Sequence, residues 1–134
     1  MCLEYLDPNI EAPDIGIGYK FFVRVAPDQY TSLFFKYGPC QTDTWYEDPR
    51  TISLRTEKIP QEYPTGYHIF LSYKDAQRCA STFNVFNNED ICILKVQYES
   101  VVARGYNWID SDGSVGPCIV ARRMKILKET ADVS

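Results

Sequence analysis

The sequence predicts an α+β fold, a mostly antiparallel sheet of about six strands with one short helix over residues 73–83. The composition supports the sheet, because 10 Tyr and 7 Phe are residue types that suit half-buried, pleated surfaces. Several segments alternate apolar and polar residues with the two-residue period of a strand. A single segment places its apolar residues at helical spacing.

The first part of the chain reads as an arm followed by a hairpin. Residues 1–18 carry prolines and glycines with little periodicity, which predicts an N-terminal arm lying over the domain. Residues 18–25 alternate, APDQ at 26–29 has the residues of a turn, and residues 30–37 return as the second strand.

The middle of the chain predicts shorter strands. We expect them at 44–48, at 51–59 and at 67–71, where YHIFL follows a linker, 60–66, that is bracketed by prolines. Within that last strand Tyr67, Ile69 and Leu71 alternate with His68 and Phe70.

The predicted helix begins after Ser72. Ser72 stands three residues before Asp75, the spacing of a helix N-cap and its acidic partner. Asn84 is a plausible end for the helix. The apolar positions expected to face the sheet are Ala76, Cys79, Ala80 and Phe83.

After the helix the sequence predicts two more strands. Residues 91–103 show the longest alternation, and its phase slips near Glu99 and Ser100, which indicates a bulge or bend. Residues 104–117 read as a long loop, and residues 119–127 as the last strand.

Length and charge limit the function classes. At 134 residues the chain is expected to form a single domain, 1–134. Its net charge of −4 argues against binding to DNA or RNA, which requires a basic surface. No apolar run approaches the roughly 20 residues that cross a bilayer, so we expect no membrane partner and a soluble, cytoplasmic protein.

The cysteines predict neither disulfides nor a metal site. Five of them are scattered without a CxxC pair, and the sequence has one histidine, His68. We expect free thiols packed as small apolar groups. We expect His68 to be partly buried, with a hydrogen bond to the main chain or to a carboxylate. No cofactor motif is present: DSDGS at 110–114 lacks the glutamate of a calcium loop, and GIG at 16–18 lacks the third glycine of a dinucleotide site.

Basic and aromatic residues suggest a place for a phosphate-bearing nucleotide. If the strands are neighbours, Arg104 and Arg122 or Arg123 could line one sheet face beside Tyr19, Tyr98 or Tyr106, since guanidinium forks and aromatic planes suit such ligands. In the alternative interpretation these arginines are solvated sheet-face charges. Their carboxylate partners would then be Glu47, Asp48 or Glu99.

Gly66-Tyr67-His68 with the following SYKDA segment resembles the strand and helix of ADP-ribosyltransferase-like folds. It is still more similar to a G-[FY]-H-x-F…D-A segment of small phage and prophage proteins. Those proteins begin with MCL and end in an A-x-x-M-K-I-L strand, and this chain shows MCL at 1–3 and ARRMKIL at 121–127. The resemblance implies a degenerate ADP-ribosyltransferase-like scaffold, in which Tyr67 or His68 would position nicotinamide and Glu99 would orient the ribose.

The resemblance predicts a phage or prophage accessory protein that binds without catalysis in the host cytoplasm. The expected partner is a host defence protein or a nucleotide-derived messenger. Two alternatives stay open: an ADP-ribosyltransferase-like or NAD-processing enzyme, and a virion structural or assembly protein. The candidate binding residues are Tyr19, Lys36, Tyr67, His68, Arg104, Tyr106, Arg122 and Arg123.

The sequence also predicts self-association. The aromatic strands around Phe34, Phe35, Trp45 and Trp108 offer more apolar surface than one helix can cover on both faces of a sheet. Soluble assemblies most often close as two-fold dimers. We therefore expect a homodimer, or a multiple of one, with the arm or the 104–117 loop at the contact.

Overall fold

The computed structural model of the chain describes residues 3–32, 39–56, 61–87 and 91–128. Within these ranges lie nine strands and one helix. In chain order they are β1 (Tyr5–Leu6), β2 (Ile15–Ala26), β3 (Gln29–Ser32), β4 (Trp45–Glu47), β5 (Ser53–Arg55), β6 (Glu62–Pro64), β7 (Tyr67–Phe70), α1 (Tyr73–Asn87), β8 (Ile91–Trp108) and β9 (Val115–Ile126).

The α+β architecture is confirmed, and every strand pairing is antiparallel. Seven strands form the main sheet, while β5 and β6 pair with each other. The long β8 pairs with β2 over residues 91–99 and with β9 over residues 96–108, so residues 96–99 lie between the two strands. Because β7 joins β2 to β9, the sheet closes on itself.

The inner core fills the space inside this closed sheet. It gathers the inward side chains of β2, β7, β8 and β9, including Phe22, Ile69 and Tyr98, none of which is more than 1% exposed. A second core lies between the opposite face of the sheet and α1. The helix contributes Ala76, Cys79 and Ala80 to that core, as the helical spacing predicts. The side chain of Phe83 lies outside the described residues.

The phase slip in the long strand is confirmed as a bend at Ser100. Its φ of 62° is left-handed, a conformation that costs an L-residue about 1–2 kcal/mol. The β8–β9 register then shifts between Val101 and Ala103. The irregularity lies where β8 stops pairing with β2, after Glu99, and continues along β9.

The predicted number of six strands is too low, and the predicted 104–117 loop is wrong. Residues 104–117, predicted to be a loop, are mostly strand: β8 runs to Trp108, and the turn between Ile109 and Ser114 is closed by a main-chain hydrogen bond of 2.9 Å. Short strands also form where prolines and glycines obscure periodicity, in the arm as β1 and in the 60–66 linker as β6. Main-chain ladders need no apolar side chains, so the pattern missed them.

The arm packs on its own chain. β1 pairs with the outer edge of β8, Tyr5 against Tyr106. A Cβ atom at Gly105 would overlap the carbonyl oxygen of Tyr5, so glycine permits this close approach. The arm joins the sheet instead of lying loose, and β2 begins at Ile15, inside the range predicted for the arm.

The predicted hairpin at the start of the sheet is confirmed. β2 and β3 pair from Phe22↔Ser32 to Ala26↔Gln29 around the turn at Pro27 and Asp28. The cysteines described, Cys40, Cys79, Cys92 and Cys118, are buried thiols outside any disulfide. None of the described helical residues forms a segment long and apolar enough to cross a membrane. The predictions that involve Cys2, Phe34, Phe35 and Lys36 lie outside the described residues.

Candidate functional site

His68 is fully engaged inside the protein. Its Nε2 atom lies 3.0 Å from the hydroxyl of Tyr63, and that hydroxyl accepts a hydrogen bond of 2.9 Å from the main-chain N–H of Leu3. A further hydrogen bond joins His68 to the main chain of Gly66. The side chain is 5% exposed, so the expected partial burial is in fact nearly complete. Its partners are a tyrosine and the main chain.

Burial and the nearby charge of Lys20 lower the pKa of His68 to about 3. The imidazole is therefore neutral at physiological pH. A neutral ring accepts the Tyr63 proton at Nε2, which fits the observed contact. His68 thus anchors β7 to the 61–65 segment and to the arm.

Lys20 is a buried cation that sequence reasoning did not select. It is 8% exposed, and its Nζ atom donates to the main-chain carbonyl of His68 at 3.1 Å. Burial lowers the pKa of Lys20 to about 8, because a charged amine is poorly solvated there. Its signal in the sequence is weak, since a lysine between Tyr19 and Phe21 reads as an outward residue of an edge strand.

Arg122 holds two connecting segments against β9. Its guanidinium donates to the main-chain carbonyls of Thr65 at 2.7 Å, of Arg50 at 2.8 Å, and of Asp48. The carboxylate of Asp48, fully buried, accepts from the Arg50 guanidinium at 2.7 and 3.0 Å. Burial raises the pKa of Asp48, but hydrogen bonds with Arg50 outweigh it and hold the pKa below its usual value. The cluster is a structural clamp.

Arg104 and Tyr106 hold the arm. The Arg104 guanidinium donates to the carbonyl of Ala12 at 2.9 Å and to the carboxylate of Asp14 at 3.1 Å. Tyr106 lies beside Tyr5 of β1, with ring centroids 5.0 Å apart. Both residues therefore fasten the N-terminal segment to β8.

The candidate residues are not brought together. Arg123 lies on the opposite side of β9 from Arg122, where it forms an ion pair with Glu99, as the solvated-charge interpretation predicts. Arg104 pairs in register with Ile119, away from both. Tyr19 packs edge-on against Tyr73, and Tyr67 belongs to the inner core at 3% exposure. Lys36 lies outside the described residues.

A different surface of the sheet is open, and we name it the outer face. It lies on the side of the sheet opposite the inner core. It comprises the part of β2, β8, β9 and β4 that extends past the N-terminal end of α1, where Tyr73 contacts Tyr19. Direct cross-strand partners share a face of a sheet, and the registers define two rows of such partners. The first row is Ile15, Glu99, Arg123 and Glu47; the second is Ile17, Gln97, Lys125 and Trp45.

The outer face combines apolar, aromatic and charged groups. Ile15 is 60% exposed and Ile17 is 54% exposed. At the other side of the face, the Arg123 guanidinium lies 4.9 Å from the centre of the Trp45 ring, and the Lys125 ammonium lies 5.4 Å from it. Exposed isoleucines at one edge and an aromatic residue flanked by cations at the other are residue types found at protein-binding surfaces.

Two cavities of the described structure lie away from the outer face. One of about 180 Å³ lies between α1 and the start of β8, and one of about 500 Å³ lies at the β2–β3 turn. Across the described ranges, no three His, Cys, Asp or Glu side chains are grouped so that they could hold a metal ion. The outer face is therefore the candidate functional site.

Sequence reasoning named half of the residues in the two rows of the outer face, namely Arg123, Glu99, Glu47 and Trp45. It missed Ile15 and Ile17, which fall in the segment predicted to be an arm. The available signal was the alternation of isoleucine and glycine in IGIG at 15–18, which has the period of a strand.

Comparisons of the chain with models of protein families, with curated proteins and with solved structures gave no match.

Proposed function

We propose that this chain is a phage or prophage accessory protein that acts by binding a host antiviral defence protein in the host cytoplasm. The outer face carries the proposal, because Ile15 and Ile17 are more than half exposed on a rigid sheet. The phage context rests on the resemblance of the GYH…DA segment and of both chain ends. Rigid apolar and aromatic groups bind at low entropic cost, which suits a competitive inhibitor.

A protein partner suits the arrangement better than a nucleotide messenger. The nucleotide interpretation assigns the phosphates to guanidinium groups, whose forked donors match phosphate oxygens. Arg104 is bonded to the arm, and Arg122 is bonded to three main-chain carbonyls. Arg123 is paired with Glu99. A phosphate would have to displace these bonds, whereas a protein surface can use the outer face as it stands.

The residues required by the enzymatic alternative are either buried or held in an ion pair. A transferase or NAD-processing enzyme would use Tyr67 or His68 to position nicotinamide, but the two residues are 3% and 5% exposed. Glu99, which would orient the ribose, is paired with Arg123. The virion alternative could use the same outer face, and mass spectrometry of purified particles separates it from the defence-protein proposal.

The test is rescue of phage plating on defended hosts. We expect expression of the chain to restore plating on at least one host strain that carries a single defined defence system, and Ile17→Lys to abolish the rescue. Val25→Lys is the matched control, since Val25 is also 54% exposed on β2 but lies at the other end of that strand. The purified defence protein should bind directly to the wild-type chain and to Val25→Lys, but not to Ile17→Lys.

Two results would overturn the proposal. One is a panel of defended hosts in which the chain never restores plating. The other is rescue that survives Ile17→Lys and is accompanied by a thermal shift with cyclic dinucleotides or ADP-ribose derivatives, which would point to messenger sequestration.

A further inference from the structure

The charges of the outer face are arranged so that the face complements itself. Its central strands are β8 and β9, and across their boundary each glutamate or amide faces a cation: Glu99 pairs in register with Arg123, and Gln97 with Lys125. On the flanking strands, Ile17 of β2 and Trp45 of β4 end the same row.

We propose that a second copy of this chain packs on the outer face, around a two-fold axis that runs along the strands between β8 and β9. Such an axis lays β8 over β9 of the partner subunit, and β2 over its β4. Glu99 then meets Arg123 of the partner subunit, and Ile17 meets Trp45 of the partner subunit. Each contact occurs twice, as a two-fold interface requires.

The direction of the axis follows from the charges. An axis perpendicular to the strands would exchange the two rows, and Arg123 would lie over Lys125 of the partner subunit. Like charges placed opposite each other in an interface cost several kcal/mol. The axis along the strands instead places opposite charges, Glu99 and Arg123, together across the interface.

The size of the face predicts a weak dimer. Four strands about 4.8 Å apart and two rows about 6.6 Å apart give a patch of roughly 250 Å². Stable interfaces cover about 800 Å² on each partner. We therefore expect a weak dimer whose population depends on protein concentration.

Dimerisation would cover the surface assigned above to the host partner. If the proposed function is right, the monomer is the form that binds that partner. At high protein concentration, self-association then buries the exposed isoleucines in the dimer. This consequence rests on the proposed function, whereas the dimer itself does not.

Sedimentation equilibrium of the purified full chain from 5 to 500 μM tests the dimer. We expect the mass to rise from 15.5 kDa toward twice that value. Ile17→Lys should weaken association at least tenfold, while Val25→Lys should leave it unchanged. Circular dichroism establishes that each variant is folded.

A charge exchange tests the axis. Glu99→Arg alone places arginine against arginine across the interface, and Arg123→Glu alone places glutamate against glutamate, so each variant should be monomeric. Mixed together they restore both ion pairs, and a heterodimer should form. Any one of three results would overturn the proposal. They are a wild-type chain that stays monomeric at 500 μM, a dimer that Ile17→Lys does not weaken, and a mixture of the two charge variants that does not associate. These three outcomes concern self-association alone. Whether the chain restores phage plating on defended hosts is measured separately, so failure of the dimer and failure of the proposed function can be told apart.

Discussion

The Nζ atom of Lys20 donates a hydrogen bond of 3.1 Å to the main-chain carbonyl of His68, with both side chains at most 8% exposed. The two residues lie on neighbouring strands, β2 and β7, where the closed sheet joins. A cation and a neutral imidazole thus share one buried region. Burial lowers the pKa of both groups, and the pH ranges in which each one titrates provide the first two predictions.

Lys20→Met should raise stability at neutral pH. The folded-state pKa of Lys20 is about 8, below the value of 10.5 for a free lysine, so the unfolded chain binds more protons between those values. Wild-type stability should therefore increase as pH rises from about 8 to 10.5, by about 3 kcal/mol. Urea unfolding should show that the advantage of Lys20→Met over wild type shrinks over this range. Parallel pH profiles of the two proteins would contradict the burial of the charge.

Acid should unfold the protein through His68. Its folded-state pKa is about 3, against about 6.5 in the unfolded chain, so protons favour the unfolded state below pH 6.5. Between pH 6.5 and pH 4 the linked loss of stability should be about 3 kcal/mol. Urea midpoints of wild type and of His68→Gln, measured at both pH values, isolate this loss as the difference between them. An equal loss in the variant would show that His68 is not the group responsible.

Neighbouring arginines should differ sharply in importance. Arg122→Met leaves three carbonyls without their charged donor and should lower the free energy of unfolding by about 3 kcal/mol. Arg123→Met removes a partly solvated ion pair and should cost less than about 1 kcal/mol. Both variants keep an apolar stem in place of the arginine stem. The difference in the free energy of unfolding, measured by chemical denaturation, therefore reports the loss of each guanidinium group. Similar losses at the two positions would refute the clamp.

Ser100→Gly should stabilise the chain. Ser100 holds a φ of 62°, which glycine adopts without a Cβ clash, and a gain of about 1 kcal/mol is expected. Ser100→Ala keeps the Cβ and serves as the control, with no gain. Thermal unfolding compares the two variants, and a loss of stability in Ser100→Gly would show that the bend is not strained.

Local patterns of the sequence determined the elements that carry clear periodicity. The alternation in 18–25 and 67–71, the helical spacing after Ser72 and the phase slip at Ser100 are local features, because the side-chain period depends on the main-chain conformation of the segment itself. These predictions agree with β2, β7, α1 and the bend in β8. The 104–108 segment was missed because ladder hydrogen bonds come from the main chain.

Only the tertiary structure decided which faces meet water. Alternation separates Lys20 from Tyr19 and Phe21, but it cannot say that the closed sheet buries one side of β2 while α1 buries the other. In the same way, Ile15 and Ile17 lie on the face that buries Phe21, yet they stay exposed because the helix does not extend over them. Burial depends on what packs against a face, and strand closure and helix placement are set by contacts between residues far apart in the chain.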